Sequence, residues 1–194
     1  MMRCKQYVSV ICSLILAVTV LAACGTGQGD AKGSAAETSG LPGAEAIAEY
    51  EAFYGESVDA VIEKLELAED AYDNSDAMIL QLSETETMDG VDFTPQYLFY
   101  ADGSCYGFRF NALLENGADL KTAVNALYED AEAQYGDPDT YEGMNNRISE
   151  NLESMDNVSD SFTETWSVSE QTELTWRIDL IGDKVLLQLS YEKN

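Results

Sequence analysis

The sequence predicts an α+β fold in which helices pack on one face of an antiparallel sheet, arranged as two helix-then-strands units. Three observations carry this. Apolar residues recur at helical spacing at Val58, Val61, Ile62 and Leu65, and over a longer stretch at Leu120, Ala123, Val124, Leu127, Tyr128, Ala131 and Tyr135. Three runs near the C-terminal end alternate between inward apolar and outward polar positions, the period-2 signature of half-buried strands. Turn residues fall where hairpins need them, most clearly at Gly182-Asp183.

In chain order, the first segment stands outside that fold. Arg3 and Lys5 precede an apolar run from Tyr7 to Leu21 broken only by Ser9, Cys12, Ser13 and Thr19. The run is short for a spanning helix and ends in small residues rather than a basic flank, so residues 1–23 are expected to be a signal peptide. An uncleaved transmembrane helix followed by an incidental cysteine is the alternative for the same residues. The run ends in Leu21-Ala22-Ala23-Cys24. This tetrapeptide resembles the lipobox of bacterial lipoproteins. The resemblance implies cleavage before Cys24 and a diacylglycerol on its sulfur, placing the chain on the extracytoplasmic face of the cell membrane. Each buried methylene contributes about 0.8 kcal/mol, so two acyl chains hold a protein where one anchors only marginally. Residues 24–43 then form the lipidated N-terminus and a linker rich in Gly, Ser, Ala and Thr, a flexible tether reaching roughly a few tens of ångströms.

The folded part is expected over residues 44–194, with halves at 44–117 and 118–194. A short helix over 44–54 ends at Gly55, and Ser57 caps a second helix. After the polar connection through Asp70, Asp73, Asn74 and Asp76, residues 78–82 read as a strand, and 96–100 with 105–111 as a hairpin around Ala-Asp-Gly-Ser. Alternation then puts Tyr106, Phe108 and Phe110 on the face toward the helix and Cys105, Gly107 and Arg109 on the other. The second half opens with the best helix of the chain, with Asp119 as N-cap, Gly136 after its last turn and Pro138 as a stop. An acidic connection over 139–160 includes a helical turn at Ile148, Leu152 and Met155. The closing meander turns Phe162, Glu164, Trp166 and Val168, then Leu174, Trp176, Ile178 and Leu180, then Val185, Leu187, Leu189 and Tyr191 inward. It turns Thr175, Arg177, Asp179, Gln188 and Ser190 outward, as in a sheet covered on one side.

Composition bounds the function. Acidic residues number 36 against 10 basic, for a net charge of −26, which argues against nucleic acid and against adsorption to anionic headgroups. Cys4 and Cys12 lie in the leader and Cys24 carries lipid, so Cys105 has no partner for an intramolecular disulfide. A small half-buried hydrophobe is the favoured role for Cys105 over a reactive thiol. Histidine is absent, which removes Ser-His-Asp and Cys-His catalysis and the commonest metal ligand. The loop Asp137-Pro-Asp-Thr-Tyr-Glu142-Gly143 has oxygen ligands but lacks the glycine position and closing glutamate of an EF-hand. No phosphate-cradling glycine loop or Cys-x-x-Cys pair is present.

Aromatic residues are the remaining candidates, because amphipathic rings dominate binding hot spots. Trp166 and Trp176 lie on inward faces and read as core, whereas Tyr97, Tyr100 and Tyr141 are the candidate binding residues. A helix, Tyr135-Gly136-x-Pro138, and a meander containing Trp166 and ending in Tyr191 resemble small bacterial envelope lipoproteins of unassigned function. The same pattern is similar to the helix-plus-meander units of β-lactamase-inhibitory-protein-like and outer-membrane-assembly lipoproteins. That resemblance spans about residues 55–194, implies a noncatalytic protein-binding module and gives no residue a role. The expectation is therefore a membrane-anchored extracytoplasmic lipoprotein that is not an enzyme. It would bind a protein or another envelope component or, alternatively, serve as a solute-binding or adaptor lipoprotein for a small polar or cationic ligand. No cofactor, metal or nucleic acid is expected.

Overall fold

The computed structural model describes residues 40–140 and 145–194, so Cys24, the leader and Tyr141 lie outside the described residues. In order, these residues form α1 (Ala44–Glu51), α2 (Val58–Lys64), β1 (Tyr72–Asp73), β2 (Ile79–Leu82), β3 (Glu86–Met88), β4 (Val91–Phe99) and β5 (Cys105–Glu115). There follow α3 (Ala118–Tyr135), a single 3-10 turn (Leu152–Ser154), β6 (Phe162–Ser167), β7 (Thr172–Ile181) and β8 (Lys184–Lys193). The fold is α+β, with one antiparallel sheet ordered β1-β2-β4-β5-β8-β7-β6 and β3 paired to β4. The last strand of the first half pairs with the last strand of the second, from Gly107 opposite Glu192 to Glu115 opposite Lys184, so the two halves share one sheet. Among the described residues no helix is long and apolar enough to cross a membrane.

Local chemistry accounts for the helices. Ser57 accepts a hydrogen bond from the Ala60 amide at 3.3 Å and caps α2 as expected. The cap of α3 is Gly117 rather than Asp119; the latter lies in the first turn, where its carboxylate still faces the positive end of the helix. Gly136, at φ 83°, ends α3 with a conformation that glycine adopts without a Cβ clash. The inward stripe is the predicted one, with Leu120, Val124, Leu127, Tyr128 and Ala131 buried. Ordered contacts begin before the linker boundary expected at Gly43. Leu41 is buried, its amide donates to the Asp130 carboxylate, and the Tyr135 hydroxyl donates to the Pro42 carbonyl at 2.7 Å.

The strands extend beyond their expected limits and include one break in register. Opposite Leu98 and Phe99 of β4 stand Gly107 and Cys105, leaving Tyr106 as the extra residue of a β-bulge. That insertion reverses the predicted facing at the start of β5, because a one-residue slip exchanges sheet faces. Cys105, with 3% exposure, joins Phe99, Phe108 and Phe110 in the core, while Tyr106 turns away and stacks on Tyr100 at 4.5 Å. The link between α1 and α2 secures this end, through Gly55 N–H to Cys105 C=O and Cys105 N–H to Glu56 C=O, both 2.8 Å. Burial pushes the Cys105 thiol up to about 11, consistent with a buried apolar role rather than a reactive one. Sequence periodicity also passed over β3, whose hairpin to β4 turns at Asp89-Gly90 with φ 47° and 79°, a pair suited to a two-residue turn. Pro95 falls between the stretches of β4 paired to β3 and to β2, where a missing amide donor is tolerated.

The core forms where rings from helices meet alternate strand residues. Tyr50 of α1 stacks on Phe108 at 4.0 Å, Phe108 stacks on Tyr191 of β8 at 4.6 Å and 6°, and the Tyr135 and Tyr191 hydroxyls are 3.1 Å apart. Further along, Tyr128 of α3 meets Trp166 at 5.8 Å and Trp176 at 6.1 Å, so both tryptophans are core. The connection after α3 is polar in composition yet buries Ile148, Met155 and Val158. Arg147 pairs there with Glu164, an inward and fully buried carboxylate that also accepts from the Ser149 amide at 2.9 Å. Of the expected outward residues, Arg177 is exposed, whereas Ser190 is only 4% exposed because it is short and flanked in register by Arg109 and Thr175.

Gly107 sits where the two halves meet: a Cβ there would lie 2.7 Å from the Tyr191 carbonyl and 3.3 Å from the Glu192 Cα. Gly107→Ala is expected to lower stability by about 1–3 kcal/mol through backbone displacement. Urea denaturation would measure the loss; an unchanged midpoint would contradict this account of the β5–β8 junction.

Candidate functional site

A cavity of about 480 Å³ opens between α1 and the β4–β5 pair. From the helical side come Tyr50 of α1 and Phe53, three residues on in the turn that follows the helix, and both line the cavity. From the sheet come Tyr97 and Phe108, directly opposite in register, and Phe110 two residues along. The rings are graded by depth. Tyr97, Phe108 and Phe110 are 4%, 2% and 1% exposed, whereas Tyr50 and Phe53 are half-buried on the wall. They contact one another edge to face, Phe53 to Tyr97 at 5.3 Å and 70°, and Tyr50 to Phe110 at 6.2 Å and 79°. Such pairs contribute about 0.5–1.5 kcal/mol beyond their buried area, so the site is preformed by its own walls.

Two carboxylates complete the lining, Glu49 on α1 and Glu86 on β3, both exposed residues and therefore at the rim. Loss of water at the cavity raises the Glu86 pKa even though the residue as a whole is exposed. Burial, with smaller contributions from the Glu86 and Glu49 charges, pushes the Tyr50 and Tyr97 hydroxyls well above the ordinary tyrosine range. Both hydroxyls therefore stay neutral and serve as hydrogen-bond donors or acceptors.

The reverse side of the same strands carries a polar ladder. Gln96 Oε1 accepts from Arg109 Nε at 2.9 Å and from Asn111 Nδ2 at 2.9 Å, while Gln96 Nε2 donates to Gln81 at 2.8 Å. Gln188 Nε2 extends the ladder to Asn111 at 3.0 Å. These residues line a shallower groove of about 400 Å³, and the cavity and the groove both border Gln96 and Arg109. Leu113 lines that groove and is exposed, and at the end of β7 Ile181 is exposed on the same face and Leu180 on the opposite one.

Of the three tyrosines singled out from sequence, the two that are described stand in different surroundings. Tyr97 forms the cavity floor, Tyr100 is 50% exposed and pairs with Tyr106, and Tyr141 lies outside the described residues. Sequence reasoning missed Glu49, Tyr50, Phe53 and Glu86. A usable signal was Tyr50 and Phe53 at i, i+3 beside Glu49, but it does not say which strand they meet. The acidic connection around Asp73 and Asp76 is a pair of side-chain turns, with Asp73 accepting from the Ser75 amide at 2.8 Å and Asp76 from the Met78 amide at 2.9 Å. Among the described residues no three acidic or cysteine side chains gather as a metal site.

The raised pKa of Glu86 has a defined sign. A carboxyl with a higher pKa folded than unfolded stabilises the fold while protonated, and that contribution is lost as pH rises through the raised value. Glu86→Gln is therefore expected to be more stable than the parent at pH 7, with the difference vanishing below about pH 4.5, the ordinary glutamate value. Urea denaturation from pH 4 to 8 would test this, and a difference independent of pH would refute it. Comparison with protein-family models, curated proteins and solved structures finds no match for the chain.

Proposed function

We propose that this chain is a membrane-anchored extracytoplasmic lipoprotein acting as a noncatalytic binding module, and that the cavity between α1 and the β4–β5 pair holds its ligand. The observation that carries the reading is the cavity itself, about 480 Å³ with buried rings at its floor and carboxylates at its rim. That volume falls within the range of about 300–1,000 Å³ for small-molecule sites, and an apolar lining with a few convergent polar groups is their usual character. Of the alternatives raised by the sequence, the cavity favours a small solute or envelope component over a flat protein interface. The lipobox-like Leu21-Ala22-Ala23-Cys24 supports the location, and the lack of histidine supports a binding role over a hydrolytic one.

A second reading, docking of a protein partner on the open sheet face, draws on the exposed Leu113 and Ile181, which share that face with the amide ladder. It ranks below the first because Gln81, Gln96, Arg109, Asn111 and Gln188 already bond to one another, leaving fewer free polar groups for a partner.

Two variants separate location from binding. Cys24→Ser is expected to move the protein out of the membrane fraction of the cells and to abolish incorporation of labelled palmitate. Ala46 is half-buried on the cavity wall, so Ala46→Trp is expected to fill the site, retain the fold by circular dichroism and remove any small molecule that co-purifies with the parent in native mass spectrometry. Co-purification that survives the tryptophan would place the ligand elsewhere.

A further inference from the structure

We infer that the ligand of this cavity is an organic cation with an apolar body, a quaternary or tertiary ammonium whose charge meets Glu49 and Glu86 while its substituents lie against Tyr50, Phe53 and Tyr97. The inference rests on the cavity being the ligand site and adds the sign of the ligand's charge. Ring faces attract cations through their quadrupole, and several rings around one apolar opening are the usual surroundings of an alkylated ammonium. Here five rings line one cavity.

Charge points the same way. Glu49 and Glu86 are the acidic side chains of the lining, and among the described residues neither has an ion-pair partner. Arg109 borders the cavity, yet its guanidinium donates to Gln96 Oε1 through Nε at 2.9 Å and Nη2 at 2.6 Å, on the register face opposite Tyr97 and Phe108. It is therefore engaged elsewhere and does not neutralise the rim. Tyr50 and Tyr97 stay un-ionised, so their hydroxyls add polarity without adding charge. A carboxylate that loses water at an apolar opening is left electrostatically unsatisfied, and an incoming cation compensates it where a neutral or anionic ligand does not. The net charge of −26 adds a long-range field that concentrates cations near the surface.

Three probes of one shape isolate the charge: phenyltrimethylammonium, its neutral carbon isostere tert-butylbenzene, and benzenesulfonate. Binding would be measured by calorimetry on the full-length protein in nanodiscs, with empty nanodiscs as the reference. The expected result is phenyltrimethylammonium bound at least about tenfold more tightly than tert-butylbenzene, a preference of the size that cation–π contacts and an adjacent carboxylate provide. The double variant Glu49→Gln/Glu86→Gln, checked for an unchanged circular dichroism spectrum, should remove most of that preference and leave tert-butylbenzene binding as it was. Equal binding of the two isosteres in the parent protein, or tightest binding of benzenesulfonate, overturns the cation assignment while leaving an apolar ligand site in place. If no probe binds, or if all bind equally well to Ala46→Trp, the assignment fails together with the cavity reading on which it rests.

Discussion

Everything in the molecule depends on the pairing of β5 with β8. Those strands end two helix-then-strands units, the first contributing β1 to β5 and the second β6 to β8, and this pairing joins them into one sheet. Once Phe108 stands opposite Tyr191 and Phe110 opposite Leu189, the inward residues of both units share a face, and α1 and α3 find rings to pack against. Gly107 permits that closeness, since any side chain there would meet the backbone of β8. The bulge at Tyr106 then ends the regular ladder and hands the start of β5 over to the link between α1 and α2. Three devices thus position α1 over the sheet: a glycine contact, a bulge, and a pair of backbone hydrogen bonds.

The cavity follows from an imbalance in that arrangement. Over most of the core, opposing side chains interdigitate, as where Trp166 and Trp176 stack at 6.2 Å beneath α3. Under α1 the helix is only two turns long and α2 begins after a break, so the covering layer is thinner there. Aromatic rings hold the space open because they are rigid and meet edge to face, which leaves a gap that flexible aliphatic chains would have filled. Charged groups of the lining are kept to the rim, and on the reverse face of the sheet hydrogen bonds link the amides of Gln81, Gln96, Asn111 and Gln188 in series.

Much of this architecture was legible in the residues, for reasons that separate local from nonlocal physics. The cap at Ser57, the stop at Gly136 and most of the alternation from Phe162 to Tyr191 are local and occur where their patterns indicate, although Leu180, expected inward, is exposed at the end of β7 and Ser190, expected outward, is buried. Glu164 was placed inward by the same alternation, but its partner Arg147 lies in a connection without periodicity, and only folding brings the two together. The facing of Cys105 and Tyr106 was reversed because a bulge is decided by how a strand ends against its neighbours, not by composition. The hairpin at Asp89-Gly90 was legible in its turn residues, whereas of the cavity only Tyr97 was singled out. Tyr50, Tyr97 and Glu86 come from α1, β4 and β3, with Phe53 in the turn after α1, and no spacing in the sequence relates the helical side to the strands.

The start of the folded part has a mechanical meaning. Leu41 and Pro42 are gripped by Asp130 and Tyr135 of α3, and Tyr135 in turn touches Tyr191, which stacks on Phe108 at the cavity floor. Tension drawn along the preceding residues would therefore enter the body at α3 and pass through side chains to Phe108, which stacks on Tyr50 of α1. A pull on the chain and a ligand in the cavity would act on one connected set of rings.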